Sequence, residues 1–327
     1  MATLGNITDP RPTADGKPNR DRAKVLARVE AMRRSKLSPD EAAALAAEYL
    51  RLGNTDPREG DPGLFLNKAL DLLAPHTRDR APSYFVFTTL AEVYAARGEL
   101  SDLRQAVDLH DAALIDTQMP PTVKGWTESQ RNWIEKLDRE YVPHYLRLRL
   151  ADREQATRRS PETEVPTALF PLPSKGQTSI PLRFVNDAGS YEPGSLAKTE
   201  LDKLPRDALA IAQQLVFWFP GDTRLLWMVA ELYAAEGKLD EAETFFNEIA
   251  GSRQFGNRKI FMEHRRMVSE AIETRRKAAE QAAADAMPIS LRAIWIYFGA
   301  VVLIAAVALL RVFTKRGKGS AWPGCCG

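Results

Sequence analysis

Apolar residues along most of this chain recur three or four positions apart, the spacing that places them on one face of a helix. Leu226, Val229, Ala230 and Tyr233 share such a face, Gly237 supplies a left-handed stop, and Ala242, Phe246 and Ile249 continue on one face of a second helix. The spacing predicts a helical hairpin over 225–249. Phe87, Leu90, Ala91 and Tyr94 lead to Gly98 in the same way. Ala106, His110 and Ala113 follow as the second helix, with about three extra residues expected in the turn by comparison with the later hairpin. Earlier still, Ser38-Pro39-Asp40-Glu41 combines a cap, a first-turn proline and two acids at the positive end of the helix dipole. Ala46, Tyr49 and Leu50 share that helix's inner face, and Gly53 ends it. After a polar insertion at 54–61, a second helix is expected over 63–74, closed by Pro75.

The remaining helices are less regular. Residues 22–34 predict a short helix with Val25, Leu26 and Val29 inward. Residues 126–158 predict a helix bent at Pro143, with Trp133, Leu137 and Tyr141 before the bend and Tyr145, Leu146, Leu148 and Leu150 after it. Residues 205–219 predict a helix with Leu209, Ala212, Leu215 and Val216 inward, ended by Pro220-Gly221-Asp222. Between these elements, 159–204 is expected to be a linker rich in Pro, Ser and Thr, with a short hairpin. Its strands would be 181–185 and 190–192, turned at Asn186-Asp187-Ala188-Gly189 and lying against the helices, because a lone hairpin is marginal. Residues 1–21, rich in Pro, Gly, Asp and Asn, are expected to be a disordered tail.

Residues 253–288 form a polar helical pattern, read as a stalk. Its basic residues (Arg258, Lys259, Arg265, Arg266, Arg275, Arg276 and Lys277) fit either a solvated face or attraction to anionic lipid head groups. The pattern then changes. Ala293 to Leu310 hold no charged residue over eighteen positions, and 289–313 is apolar apart from Ser290, Arg292, Gly299 and Arg311. That length crosses about 30 Å of hydrocarbon, with Trp295 and Tyr297 placed as an interfacial belt. A single transmembrane helix is expected at 289–313, followed by a basic tail at 314–327.

The paired helices resemble the tetratricopeptide repeat (TPR), a helix-turn-helix unit of about 34 residues. The resemblance rests on Tyr233, Gly237, Ala242 and Phe246. It also rests on an internal echo: Ala-Glu-Val-Tyr-Ala-Ala-Arg-Gly-Glu-Leu from Ala91 nearly copies Ala-Glu-Leu-Tyr-Ala-Ala-Glu-Gly-Lys-Leu from Ala230. The implied fold is an all-α, TPR-like helical-hairpin solenoid with a small strand or turn insertion and a C-terminal membrane helix. Its helical regions would be 22–158 and 205–252, holding three to three and a half units. The resemblance implies protein–protein interaction through a groove lined by the first helices. The groove positions fall on Phe85, Thr88 and Glu92 in one unit and on Arg224, Trp227 and Glu231 in another. Glutamate in both units does not match the basic clamp that some family members use for a C-terminal carboxylate, which favours a basic or mixed peptide. Trp227 is the candidate anchor, with packing inside the hairpin as the alternative. A rival reading is a structural accessory subunit of a membrane enzyme or transport complex. A binding module should expose its groove, and a subunit should expose a large apolar patch.

Composition narrows the chemistry. Apolar residues make up 44% and charged residues 27%, which suits a globular helical protein. Five Lys or Arg and no acid lie from Ile289 onward, so a net charge of +2 for the chain leaves −3 on the first 288 residues. That gives nucleic-acid binding little support. Cys325 and Cys326, the two cysteines, adjoin each other near the C-terminus: a frayed tail or an acylation site, but no disulfide framework or zinc site. His76, His110, His144 and His264 are scattered without metal-ligand spacing, and His110 is read as a packing residue. There is no phosphate-binding glycine loop, nucleophile elbow or His-Glu-x-x-His. No catalytic residue, cofactor, metal or small-molecule substrate is expected; the expected partners are an unidentified protein or peptide and a lipid bilayer. Asn6-Ile7-Thr8 matches a glycosylation sequon that chance explains. The N-terminus carries no signal-peptide pattern, which places the body in the cytoplasm. The basic tail argues the other way, and an upstream start carrying a signal would make the body extracytoplasmic.

Overall fold

A computed structural model describes residues 20–33, 36–53, 62–78, 83–155, 167–173, 180–252, 258–285, 298–307 and 309. The described residues are helices joined by turns and coil, with no strand among them. The chain divides into two compact units, Met1–Ala271 and Ile272–Gly327.

The first unit is built from helix pairs. Helix α1 (Arg20–Met32) lies on α2 (Pro39–Gly53), which pairs with α3 (Pro62–Leu73). Helix α4 (Tyr84–Arg97) pairs with α5 (Leu100–Asp116) and also packs on α2 and α3. Val25, Ala46, Leu52, Ala69, Val86 and Ala91 belong to one continuous apolar core. Helices α6 (Glu128–Glu140) and α7 (Val142–Gln155) follow, and α7 packs on α5. A four-residue helix, α8 (Lys198–Leu201), and α9 (Ala208–Trp218) lead to the hairpin of α10 (Thr223–Ala235) and α11 (Leu239–Ser252). The last long helix is α12 (Arg258–Asp285).

The hairpins share their punctuation. The side chain of Ser83 accepts from the Phe85 N–H at the start of α4, and that of Asp222 accepts from the Arg224 N–H at the start of α10. Fifteen residues after each cap comes a glycine in the left-handed region, Gly98 and Gly237, both with φ of 73°. In α2 the Ser38 hydroxyl and the Glu41 carboxylate reciprocally bond each other's backbone N–H, and Gly53 is again fifteen residues on. Seven residues before each glycine sits a fully buried alanine (Ala46, Ala91, Ala230), and four before it a tyrosine (Tyr49, Tyr94, Tyr233).

Several expectations need correction. Leu26 is exposed, because α1 buries one side only, the side of Val25 and Val29, against α2. The turn after Gly98 holds no extra residues: α5 begins two positions past its glycine, as α11 does, so Leu103 rather than Ala106 stands where Ala242 stands. The bend expected at Pro143 lies at Tyr141, which caps α6. Pro143 falls in the first turn of α7, where a missing N–H costs little. The expected linker contains a docked segment. Leu169 and Phe170 are fully buried, and Phe170 meets the Tyr141 ring edge-on at 6.0 Å. The expected hairpin at 181–192 makes a turn without strands. The Asn186 side chain accepts from the N–H groups of Ala188 and Ser190, and Glu200 accepts from the Arg183 N–H. Side chains thus satisfy backbone donors that a ladder would use. The stalk is not solvated along its first half, where Phe261 and Val268 are fully buried.

In the second unit, residues 272–285 continue as an exposed helix with ion pairs Lys277–Glu273 and Arg276–Glu280 at helical spacing. Residues 298–307 are helical, with Phe298, Val301, Val302, Leu303, Ile304 and Val307 exposed. No helix among the described residues is long and apolar enough to cross a membrane. The rest of the expected span at 289–313, the tail before residue 20, the basic tail from 314 and Cys325–Cys326 lie outside the described residues.

The punctuation predicts opposite outcomes at two glycines. A Cβ at Gly237 would meet nothing within 4 Å, so Gly237→Ala should cost about 1 kcal/mol through its left-handed backbone alone. Gly251, also unobstructed but inside α11, should gain up to about 1 kcal/mol as Gly251→Ala. Urea denaturation of the two variants checks both signs.

Candidate functional site

Glu92 and Glu231 occupy matching positions, six residues before their glycines, and neither faces open solvent. Glu231 lies on α10 and is 1% exposed. The Trp227 indole N–H, one turn earlier, donates to its Oε1 at 2.6 Å, and His264 Nδ1 of α12 lies 2.7 Å from the same oxygen. Tyr191, from the turn before α8, stacks on His264 at 3.6 Å between ring centroids with the planes 7° apart. Phe261 meets Trp227 edge-on at 5.2 Å. The Tyr191 hydroxyl and Glu231 Oε2 are buried with no hydrogen bond of good geometry. Burial and the neighbouring Glu231 carboxylate push the Tyr191 phenol well above its usual range. Trp227, read from the sequence as an anchor or else as a packing residue of the hairpin, is 3% exposed, with α12 lying over it.

Glu92 on α4 has a different neighbourhood. Asp138 of α6 accepts from the Tyr84 hydroxyl at 2.7 Å, and His110 Nε2 of α5 lies 3.9 Å from its other oxygen. Both His110 ring nitrogens are buried without a hydrogen bond. Burial, reinforced by the Asp138 charge, pushes the Glu92 carboxyl up to about 8, with Arg51 pulling the other way. Glu92 is therefore largely protonated at neutral pH. Thr88 is buried and donates to the Tyr84 carbonyl, and half-buried Phe85 packs edge-on against Tyr84 and Trp126.

Arg224, the sixth expected groove residue, is a structural tie. It pairs with Asp152 of α7 and with Asp222 at 3.4 Å. Asp222 also accepts from the Tyr145 hydroxyl at 2.6 Å, and Arg149 lies 3.7 Å away. Burial raises the Asp222 pKa, but Arg224, Arg149 and the Tyr145 hydroxyl outweigh it and hold the carboxyl at about 2. The structure therefore gathers Arg224, Trp227 and Glu231 on one helix but assigns them to two neighbourhoods. Phe85, Thr88 and Glu92 stand along α4 with separate neighbours: Tyr84 and Trp126 for Phe85, the Tyr84 carbonyl for Thr88, and the charges of Asp138 and Arg51 for Glu92.

The sequence held a signal for His264 that the stalk reading passed over. Phe261, His264 and Val268 are three and four residues apart, a stripe on an otherwise charged helix. Tyr191 and Asp138 carried no comparable mark. Among the described residues no group of three or more His, Cys, Asp or Glu is placed to hold a metal ion. No family pattern, no curated protein and no solved structure matches this chain.

Two measurements test this electrostatics. Below pH 4.5 Glu92 is protonated in both folded and unfolded chains. Between 4.5 and about 8 only the folded chain holds that proton, so its contribution to stability falls as pH rises and levels off above about 8. Glu92→Gln should therefore gain stability relative to the parent between pH 5 and 8, by on the order of 1–3 kcal/mol in paired urea titrations. Asp222 has the opposite sign. Its contribution is complete above pH 3.8 and is lost as pH falls toward about 2. Asp222→Asn, which leaves Arg224 and Arg149 without their buried counter-charge, should cost about 3 kcal/mol at pH 7.

Proposed function

We propose that this chain is a membrane-anchored helical scaffold whose hairpins, resembling tetratricopeptide repeats, bind a protein partner beside a bilayer. The observation that carries the reading is the helical stretch 298–307. Six large apolar side chains there, at spacings that cover more than one helix face, are exposed. Water would penalise such a surface by roughly 25 cal/mol for each Å² left uncovered, and hydrocarbon removes that penalty. The uncharged sequence from Ala293 to Leu310, which contains these residues, has the length a span needs. The repeat reading is supported by the shared cap, alanine, tyrosine and left-handed glycine of α4 and α10. The basic residues of α12 add little lipid attraction, since Arg266, Arg276 and Lys277 pair with acids on the same helix.

A second reading, an accessory subunit serving as a fixed spacer in a larger membrane complex, is favoured by one specific observation: Trp227 and Glu231 are covered by the chain's own α12. The readings separate on whether that cover opens.

Vesicle flotation tests the anchor. The full chain should float with phospholipid vesicles and resist carbonate extraction, while a chain ending at residue 288 should stay at the bottom of the gradient. Equal flotation of the two would remove the anchor. Protease treatment of intact spheroplasts then assigns the side, since digestion from outside would place the body outside the cytoplasm.

A further inference from the structure

The face of α10 bearing Trp227 and Glu231 is closed by the first half of α12 and by Tyr191. Three observations set this closure apart from the packing of the hairpins. The hairpin α10–α11 closes through small residues, with Ala230 and Ala242 fully buried, whereas α12 lies over it through the large side chains Phe261 and Val268, Phe261 meeting Trp227 and Phe246, and through polar side chains. His264 meets Glu231, Arg265 donates to Asn247 and Ser269 donates to Glu243. The closure also leaves polar groups unmet. Both nitrogen donors converge on Glu231 Oε1, while Oε2 and the Tyr191 hydroxyl are buried near each other with no hydrogen bond of good geometry. Such orphaned atoms mark a site that a better-matched group would fill. Lastly, the group in the site is a flat nitrogen donor. The imidazole stacks on Tyr191 and presents an edge-on geometry to Trp227, 6.3 Å away, above a carboxylate.

That is the environment a guanidinium suits. It is planar, stacks on aromatic faces and presents two parallel N–H donors to a carboxylate, where one imidazole nitrogen presents one. We propose that residues 258–269 of α12 are a displaceable cover over an arginine socket formed by Trp227, Glu231 and Tyr191, and that the partner is an arginine-bearing helix that takes the place of His264. The proposal rests on the protein-binding reading of the hairpins and narrows it to one class of peptide.

The test uses the full chain in detergent micelles, so that no bilayer is needed. The probe is a synthetic peptide of residues 258–271 carrying H264R. It should bind the full chain, and bind the Phe261→Ala chain, whose own cover is weakened, about tenfold tighter or more. The same peptide with histidine retained should bind about tenfold more weakly than the arginine form. Glu231→Gln should abolish the preference for arginine. Should Glu231→Gln prove unfolded by circular dichroism, Tyr191→Ala, which removes the stacking ring, gives the same readout. Hydrogen exchange adds an independent measure: the amides of 258–269 should exchange about tenfold faster than those of α10, through an opening that leaves α10 and α11 protected. The proposal is overturned if the arginine peptide does not bind the Phe261→Ala chain. Binding insensitive to both Glu231→Gln and Tyr191→Ala, or exchange of α12 and α10 at one common rate, overturns it equally. A chain that captures the peptide but does not float loses only its anchor. One that floats but ignores the peptide loses only its socket.

Discussion

Close approach of paired helices at a single methyl group is the constraint on which the rest of the first unit depends. Ala46, Ala91 and Ala230 have no exposed surface, and each sits one turn before a tyrosine that spreads over its partner helix or a neighbouring one. Tyr49 stacks near Phe65 of α3, and Tyr233 stacks near Phe245 of α11. A small residue beside a large one lets two helices lie near the short end of the usual 8–10 Å separation while filling the space between them. In α4–α5 and α10–α11 the left-handed Gly98 and Gly237 then return the chain within two residues, so that the geometry of each of these two pairs is set locally.

With the helices held this close, carboxylates near their faces must be accommodated away from water, and the chain does so in three ways. Asp222 keeps its charge, compensated by Arg224, Arg149 and the Tyr145 hydroxyl. Glu92, beside Asp138, holds its proton well above the usual carboxylate range. Glu231 takes two donors on one oxygen and none on the other. The first arrangement is a joint and the second a passive adjustment. The third is the one with unused capacity, and so the best candidate for recognition.

Much of the helical framework was legible in the sequence, because local physics writes it. Gly98 and Gly237, the Ser38 cap, and the buried faces of α2, α4, α10 and α11 follow from periodicity and punctuation. The site was less legible. Glu92, Trp227 and Glu231 were picked out by their repeat positions, but what lies over them is set by tertiary packing. Asp138 and Tyr191 arrive from elements 46 and 40 residues distant along the chain from Glu92 and Glu231, with no periodic signature. The strands expected at 181–192 failed for a related reason. Apolar and polar residues alternate there as in a strand, yet Asn186 and Glu200 offer the backbone side-chain partners that no pattern of hydropathy registers.

Asp222 has one more consequence. Its carboxylate both starts α10 and accepts the hydroxyl of Tyr145, 77 residues earlier in the chain. Short-range helix pairs such as α4–α5 close small loops and form quickly, whereas this bridge closes a long one and bears a larger entropic toll. The first unit is thus stitched by a contact that closes a far longer loop than either hairpin turn does. Until those later residues have emerged from synthesis the Tyr145 hydroxyl lacks this acceptor, whereas Arg149 already has the Ala95 carbonyl of α4 to donate to.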